Sequence, residues 1–298
     1  MSRDLWPVIA AHINQKTGIP FQITQTRGVG GGSINSCYVV GDGEQRFFVK
    51  LNAAAQLEMF MAEAEGLVAL AASQTIRVPQ PLLWGSHGAH AYLVMEYLSF
   101  TGSDSETGAQ RLGEDLAALH RTTGSHFGWH RPNTIGSTPQ INTWEDDWVT
   151  FYREHRLRYQ LRLAQRFGGE WQQEAAFLLD NLEFFFQSYT PRPTLVHGDL
   201  WGGNVGLLSN GTPVIFDPAT YYGDRETDLA MTQLFGGFSP TFYRAYATAY
   251  PLDTGYARRE PLYQLYHLLN HLNLFGSGYL SQVMTCVETC CRSIRLGG

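Results

Sequence analysis

In Leu195-Val-His-Gly-Asp-Leu-Trp-Gly-Gly-Asn204 a short apolar run, Leu195 and Val196, gives way to a polar loop. That loop sets a carboxylate, Asp199, five residues ahead of an amide, Asn204. A second β-rich run, Val214-Ile-Phe-Asp217, also ends in a carboxylate. Phosphoryl transfer to a hydroxyl needs an acceptor for the hydroxyl proton and oxygen ligands for Mg²⁺. Asp199 fits the first role, because a carboxylate within reach of the attacking oxygen can take its proton and hold it in line. Asn204 and Asp217 fit the second, since Mg²⁺ prefers hard oxygen donors. The alternative is a loop in which Asp and Asn merely cap turns, and the surrounding elements bear on that choice.

The pattern His-x-Asp-x-x-x-x-Asn, followed by a strand ending in Asp, matches the catalytic and metal loops of the protein-kinase-like fold. Gly198 stands where protein kinases carry Arg, and Asp217 precedes Pro218 rather than Phe-Gly. Both changes point to a small-molecule branch without activation-loop control. Upstream, Arg27-Gly-Val-Gly-Gly-Gly-Ser-Ile-Asn35 lies between strand-like segments. Its glycines would let backbone N–H groups approach phosphate oxygens. No Gly-Lys-Ser/Thr closes it as a Walker A loop, and a strand rather than a helix follows, which excludes the dinucleotide fingerprint. A plain flexible turn is the competing reading. Gln45-Arg-Phe-Phe-Val-Lys-Leu51 reads as the next strand, with Lys50 where kinases hold the α- and β-phosphates; a lysine on the solvent face is the alternative. Ala53 to Ala72 reads as a helix rich in Ala, Leu, Met and Glu. It offers Glu58, Glu63 and Glu65 to Lys50; Glu63 is favoured as the ion-pair partner and the others as solvated charges. Ala91-Tyr-Leu-Val-Met-Glu-Tyr97 is a β-type run leading toward a hinge, so backbone groups of Glu96, Tyr97 and Leu98 are candidates to face adenine. Thr101-Gly-Ser-Asp-Ser reads as a linker between lobes.

The second half reads as mostly helical. Leu112, Leu116 and Leu119 share one face, and His120 reads as a capping or core histidine. Gly124 to Thr138 is a long loop whose Phe127, Trp129 and Ile135 are candidates for a wall of the acceptor site. Trp144, Trp148, Phe151, Tyr152 and His155 form an aromatic stripe of the kind that is usually core. Asp224, Arg225, Glu226 and Asp228 are costly to bury unpaired. Asp228 is expected to brace the catalytic loop, and Glu226 or Arg225 to form a structural pair. His267 and His271 have zinc-ligand spacing on a helix, but pocket-lining or core roles fit better. With 298 residues, 44% hydrophobic and 16% charged, the chain has the composition of a globular protein of two lobes. Its net charge of −6 and lack of a basic cluster argue against a nucleic-acid partner. No apolar run is long enough to span a membrane, the first residues do not read as a secretory signal, and the four cysteines do not suggest a disulfide scaffold. A cytoplasmic location follows as an expectation.

From Gly28 to about Tyr279 the chain resembles the fructosamine kinase (ketosamine-3-kinase) family, within the aminoglycoside-phosphotransferase-like group. The resemblance is carried by His197-Gly-Asp-Leu-Trp-Gly-Gly-Asn204, Phe216-Asp-Pro-Ala219, Tyr222-Gly-Asp-Arg-Glu226 with Asp228-Leu-Ala-Met231, and Leu265-Tyr-His-Leu-Leu-Asn-His-Leu-Asn273. It implies an α+β, two-lobed protein-kinase-like fold: a small β-rich ATP-binding lobe over 1–98 and a larger helical lobe over 99–298 for catalysis and acceptor binding. It makes Asp199 the catalytic base, Asn204 and Asp217 Mg²⁺ ligands, Lys50 with Glu63 the phosphate clamp, and Gly30, Gly31, Gly32 and Ser33 the cover over ATP. Trp201 would sit by the sugar amine. The implied acceptor is the 3-hydroxyl of a ketosamine, free or on a glycated protein lysine, whose phosphorylated adduct then falls apart. Ser33 departs from the family, where many relatives carry Cys, which puts any redox control through that thiol in doubt. Another small-molecule kinase, acting on an aminoglycoside or choline, and a non-catalytic nucleotide-binding protein are the rival readings.

Overall fold

A computed structural model describes residues 4–30, 34–101 and 105–297. Gly31, Gly32, Ser33 and most of the linker read at 101–105 lie outside them. The chain opens with α1 (Leu5–Thr17), closed by Gly18 in a left-handed conformation (φ 71°) that suits glycine at a helix end. Strands β1 (Gln25–Val29), β2 (Ser36–Gly41), β3 (Arg46–Ala53), β4 (Pro81–His87) and β5 (His90–Glu96) form one antiparallel sheet in the order β1-β2-β3-β5-β4. Helix α2 (Leu57–Ala72) connects β3 to β4.

Alternation along the strands explains why β5 reads as one continuous apolar run. Tyr92 and Val94 pack with Val49, Leu51 and the buried face of α1, whereas Ala91, Leu93 and Met95 join Phe60, Ala64 and Leu67 of α2. Successive side chains point to opposite faces, and here both faces are covered. Lys50, between Val49 and Leu51, therefore falls on the α2 side of the central strand, opposite Cys37 and Leu93.

The remainder is mostly helical: α3 (Glu106–Leu119), α4 (Trp148–Tyr152), α5 (Tyr159–Ala164), α6 (Trp171–Asp180), α7 (Glu226–Leu234), α8 (Pro240–Ala249), α9 (Tyr256–Phe275) and α10 (Leu280–Gly297). Short two-stranded ladders are set among them: β6 (Asn133–Ile135) with β7 (Thr138–Gln140), β8 (Thr194–Val196) with β11 (Tyr221–Gly223), and β9 (Val205–Leu207) with β10 (Pro213–Ile215). Ser239 caps α8 ahead of Pro240, as that residue pair predicts. Cys290 and Cys291 are buried on α10 as small apolar groups. Trp148, Phe151 and Tyr152 are core, as expected of the stripe, whereas Trp144 lies ahead of α4 and is exposed. Phe127 and Trp129 are core as well, which corrects their reading as acceptor wall: their loop turns both rings inward, against Trp148 and Tyr222 respectively.

Candidate active site

Two ladders bring together residues that are far apart in sequence. Pairing of β8 with β11 sets Val196 opposite Tyr221, and pairing of β9 with β10 sets Val205 opposite Ile215. The catalytic loop and the Asp217 loop are thereby closed against each other, and Phe216 N–H donates to the Asn204 carbonyl at 3.0 Å. The Asn204 side-chain amide donates to the Asp199 carbonyl at 2.8 Å and approaches the Asp199 carboxylate at 3.3 Å. From the sheet, Lys50 reaches Glu63 on α2 at 2.7 Å and also contacts the Asp217 carboxylate. Glu63 is thus the glutamate Lys50 meets. Lys50, Glu63, Asp199, Asn204 and Asp217 all line one cavity of about 580 Å³.

The loop is braced from below. Asp228 accepts the backbone N–H groups of His197 at 2.7 Å and Gly198 at 2.8 Å, and His120 meets it at 3.2 Å. Gly198 has φ 85°, and a side chain there would collide with the Ala219 carbonyl. Only glycine fits the position that holds Arg in protein kinases. His197 Nε2 donates to the Phe216 carbonyl at 3.0 Å, and its Nδ1 accepts the Asp199 N–H at 3.2 Å. These bonds fix the neutral tautomer, and burial holds the ring below its ordinary pKa. Asp217 itself sits at φ 58°, a left-handed conformation that Asp tolerates better than most residues.

Charges near Asp228 are paired by partners that sequence proximity does not reveal. Glu226 takes a two-pronged bond from Arg259 on α9, at 2.7 and 2.9 Å. Arg225 instead donates to Tyr246 and to the carbonyls of Tyr250 and Pro251. Glu58 and Glu65, expected to be solvated, both meet Arg131 of the loop before β6, and Glu65 also meets His130 at 2.9 Å. The helix thus turns these two glutamates toward the larger lobe. Gly66 lets α2 lie close on the segment after Asp217, since a Cβ there would meet Thr220 Oγ1 at 3.1 Å and Pro218 at 3.6 Å.

Burial and neighbouring charges act together on Asp199 and on Lys50. Burial and the neighbouring Asp217 charge raise Asp199 to about 7, against the opposing hydrogen bond from Asn204. A carboxyl poised near neutrality suits proton acceptance. Burial works against the charge on Lys50, but the fields of Asp217 and Glu63 more than reverse it and keep the ammonium charged. With its amide nitrogen spent on Asp199, Asn204 retains its side-chain oxygen for a ligand. That oxygen and the Asp217 carboxylate, 46% exposed, form a hard donor pair suited to Mg²⁺.

Other expected residues lie elsewhere. Gly30 is exposed beside β1. Glu96, Tyr97 and Leu98 do not line the cavity. The Glu96 N–H donates to Gln80, and its carboxylate pairs with Arg77. Arg46 lies 4.8 Å over the Tyr97 ring. Trp201 does line the cavity, its indole lying over Gly203, where a side chain would displace it. Several lining residues escape the sequence reading: Asn133, Phe235, Asn270, Phe275 and Tyr279. Asn133 is held by Gln140, Asn142 and the Thr220 carbonyl, each at 2.8 Å. The aromatic members carried no signal beyond helical spacing, although Phe275 before Gly276 marks a helix end.

A small antiparallel sheet whose lysine, paired with a glutamate of the adjoining helix, meets an Asp/Asn loop and a second Asp loop of a helical lobe defines a phosphotransferase of the protein-kinase-like fold. The family model described as fructosamine kinase matches residues 5–293, and the chain belongs to that family. It is 52% identical over 288 residues to a probable ketoamine kinase of Synechocystis, covering 96% of this chain and 97% of that one. It is 43% identical over 279 residues to the chloroplastic protein-ribulosamine 3-kinase of Arabidopsis thaliana, covering 92% and 85%. Among solved structures, a candidate fructosamine-3-kinase from Haemophilus somnus superposes with a TM-score of 0.87 at 28% identity, covering 95% and 96%. Among the described residues, no helix is long and apolar enough to cross a membrane.

Proposed function

We propose that this chain transfers the γ-phosphoryl group of ATP to the 3-hydroxyl of a ketosamine, a sugar joined through C1 to an amine such as a glycated protein lysine. The observation that carries the reading is the meeting of Lys50, Glu63, Asp199, Asn204 and Asp217 on one cavity that continues to Trp201. Residues to about Leu98 serve the nucleotide, and residues from 99 onward supply catalyst and acceptor site. Asp199 takes the hydroxyl proton as the sugar oxygen bonds to phosphorus and the bond from phosphorus to the departing ADP oxygen breaks. Lys50, aligned by Glu63, neutralises phosphate oxygens. Asn204 and Asp217 would hold Mg²⁺, which when bound offsets the negative charge of the phosphates. Glu96 to Leu98, outside the cavity that holds the catalytic set, are assigned to the adenine side, and the Gly30 to Ser33 segment, described only at Gly30, to the cover over ATP. A phosphate on O3 makes the adduct labile, so the outcome is deglycation. The four cysteines stand as free thiols, which fits a cytoplasmic enzyme.

The test is Asp199→Ala assayed on ribulosamine and fructosamine adducts of lysine, with an aminoglycoside and choline as controls. Turnover should fall by ~10²–10⁴-fold while ATP binding by calorimetry is retained. Unchanged turnover, or a wild type that phosphorylates only the controls, overturns the proposal.

A further inference from the structure

A helical run continues unbroken from α4 through α5 to Phe167, and its two flanks differ in kind. Gln160 and Ala164 face inward and are buried. The Gln160 side-chain amide donates to Asn270 Oδ1 at 3.1 Å. The Asn273 amide donates back to the Gln160 carbonyl at 3.0 Å and to its Oε1 at 2.8 Å. These bonds fasten α5 to the last turns of α9, which supply Asn270, Leu274 and Phe275 to the cavity. Phe275 is 49% exposed, so the end of α9 stands at the open side of the cavity, with α5 alongside it.

The outward flank is basic. Arg158, Arg162 and Arg166 recur at every fourth residue, which sets them along one side of a helix, and all three are exposed. Spread about one per helical turn, they make no basic run in the sequence. Leu163, next to Arg162, is 36% exposed. Glu154 answers Arg158 at 2.8 Å. Arg162 and Arg166 meet no carboxylate among the described residues. Instead Arg162 lies 5.2 Å over the Tyr159 ring, and Arg166 lies 4.9 Å over the Phe167 ring and donates to the Asn273 carbonyl. A guanidinium stacked on a ring is held flat, and its free edge presents N–H groups matched to a carboxylate. The chain carries a net charge of −6, so two unanswered arginines beside the cavity mouth are a local feature, not part of a generally basic surface. Phosphoryl transfer makes no use of them.

Resting on the reading given under Proposed function, we propose that the flank of Arg158, Arg162 and Arg166 is a docking surface for protein substrates, and that it fits an acidic stretch of polypeptide close to the glycated lysine. The reach is right. Packed helices lie about 8–10 Å apart, axis to axis, and an extended peptide covers about 3.3–3.6 Å per residue. A carboxylate about three positions from the modified lysine therefore comes over the arginines. The complementary charge lies outside the cavity, so it speeds encounter with an acidic protein and leaves a free ketosamine untouched. The flank thus sorts glycated lysines by the residues around them, whereas the catalytic set acts on the sugar.

The experiment takes kcat/KM at low salt for three substrates. One is the free ketosamine of lysine. The second is a peptide with a central ketosamine lysine and Asp or Glu about three positions away on each side. The third is the same peptide with Asn or Gln in their place. The wild type should favour the acidic peptide by ~3–10-fold, the scale of a few exposed ion pairs, and the preference should fade as salt is raised. Arg162, whose one contact among the described residues is its ring, gives the clean variant. Arg162→Glu should erase the preference while the free ketosamine keeps its wild-type kcat/KM, and adding Arg166→Glu should reverse the preference. A preference that survives Arg162→Glu, or an equal loss on all three substrates, overturns the docking surface. So does a wild type that treats the two peptides alike; if a short RNA then binds the wild type and not Arg162→Glu, the flank belongs to nucleic acid. A wild type that turns over none of the three overturns the underlying reading instead.

Discussion

Two regions keep the catalytic groups in register, and they do so by opposite physical means. Beneath the catalytic loop lies a dry polar layer: Asp228, His120, Glu226 and Arg259 are all buried, and each is hydrogen-bonded. Over α2 the ties are wet: the carboxylates of Glu58 and Glu65 remain 75% and 30% exposed where Arg131 meets them. A buried charge that loses its partner costs far more than an exposed pair ever contributes. The loop is therefore specified by interactions that cannot be given up. The helix is positioned by close packing at Gly66, with the ion pairs adding little energy.

That contrast can be broken at its strong end first. Asp228→Ala leaves two buried backbone N–H groups and His120 without their acceptor. It should cost about 3–5 kcal/mol in denaturant unfolding and abolish turnover; a loss below about 1 kcal/mol would dissolve the distinction. Arg259→Ala, which strands the buried Glu226 carboxylate, should destabilise on the same scale while leaving the loop's own hydrogen bonds in place.

Gly198→Ala comes next. It imposes a strained left-handed conformation and a collision with Ala219, costing about 1–3 kcal/mol. The loop shift it forces should lower kcat by about 10²-fold, since misplacement on the ångström scale has that effect. Stability and kcat measured on the same preparation would separate the two.

The pH dependence sharpens the comparison further. Burial opposes the Asp228 charge, but hydrogen bonding from His120 and the fields of His120 and His197 carry its pKa net below the ordinary value. Its stabilising contribution is therefore complete above the unfolded carboxyl pKa and is lost as pH falls through the lower, folded one. Unfolding midpoints measured down the acid range should show this slope in the wild type and not in Asp228→Asn. The smallest effect belongs to the exposed ties: Arg131→Ala should change stability by no more than about 1 kcal/mol, and by less at high salt.

Much of the catalytic end was legible because its information is local. Asp199 and Asn204 lie in one loop, and Asp217 ends the hairpin strand that pairs back beside Asn204. Lys50 was legible as a charge set in an apolar strand, and Glu63 as one of three glutamates on the next helix. What sequence could not give was pairing between distant segments. Nothing near Glu226 announces Arg259, 33 residues on, and nothing near Glu58 announces Arg131. The aromatic wall of the cavity was hidden for another reason. Phe235, Phe275 and Tyr279 have the helical spacing of ordinary core residues, and periodicity does not distinguish a ring that faces a cavity from one that faces packed side chains. The same ambiguity misassigned Phe127 and Trp129 to the wall.

The bare Cα of Gly66 has a reach beyond packing. Because α2 lies flush on Pro218 and Thr220, the glutamate it carries is engaged with Lys50 with the helix where it stands. A larger residue at that seam would lift the helix and draw the glutamate away from the ammonium, so one missing methyl sets how far the pair can reach.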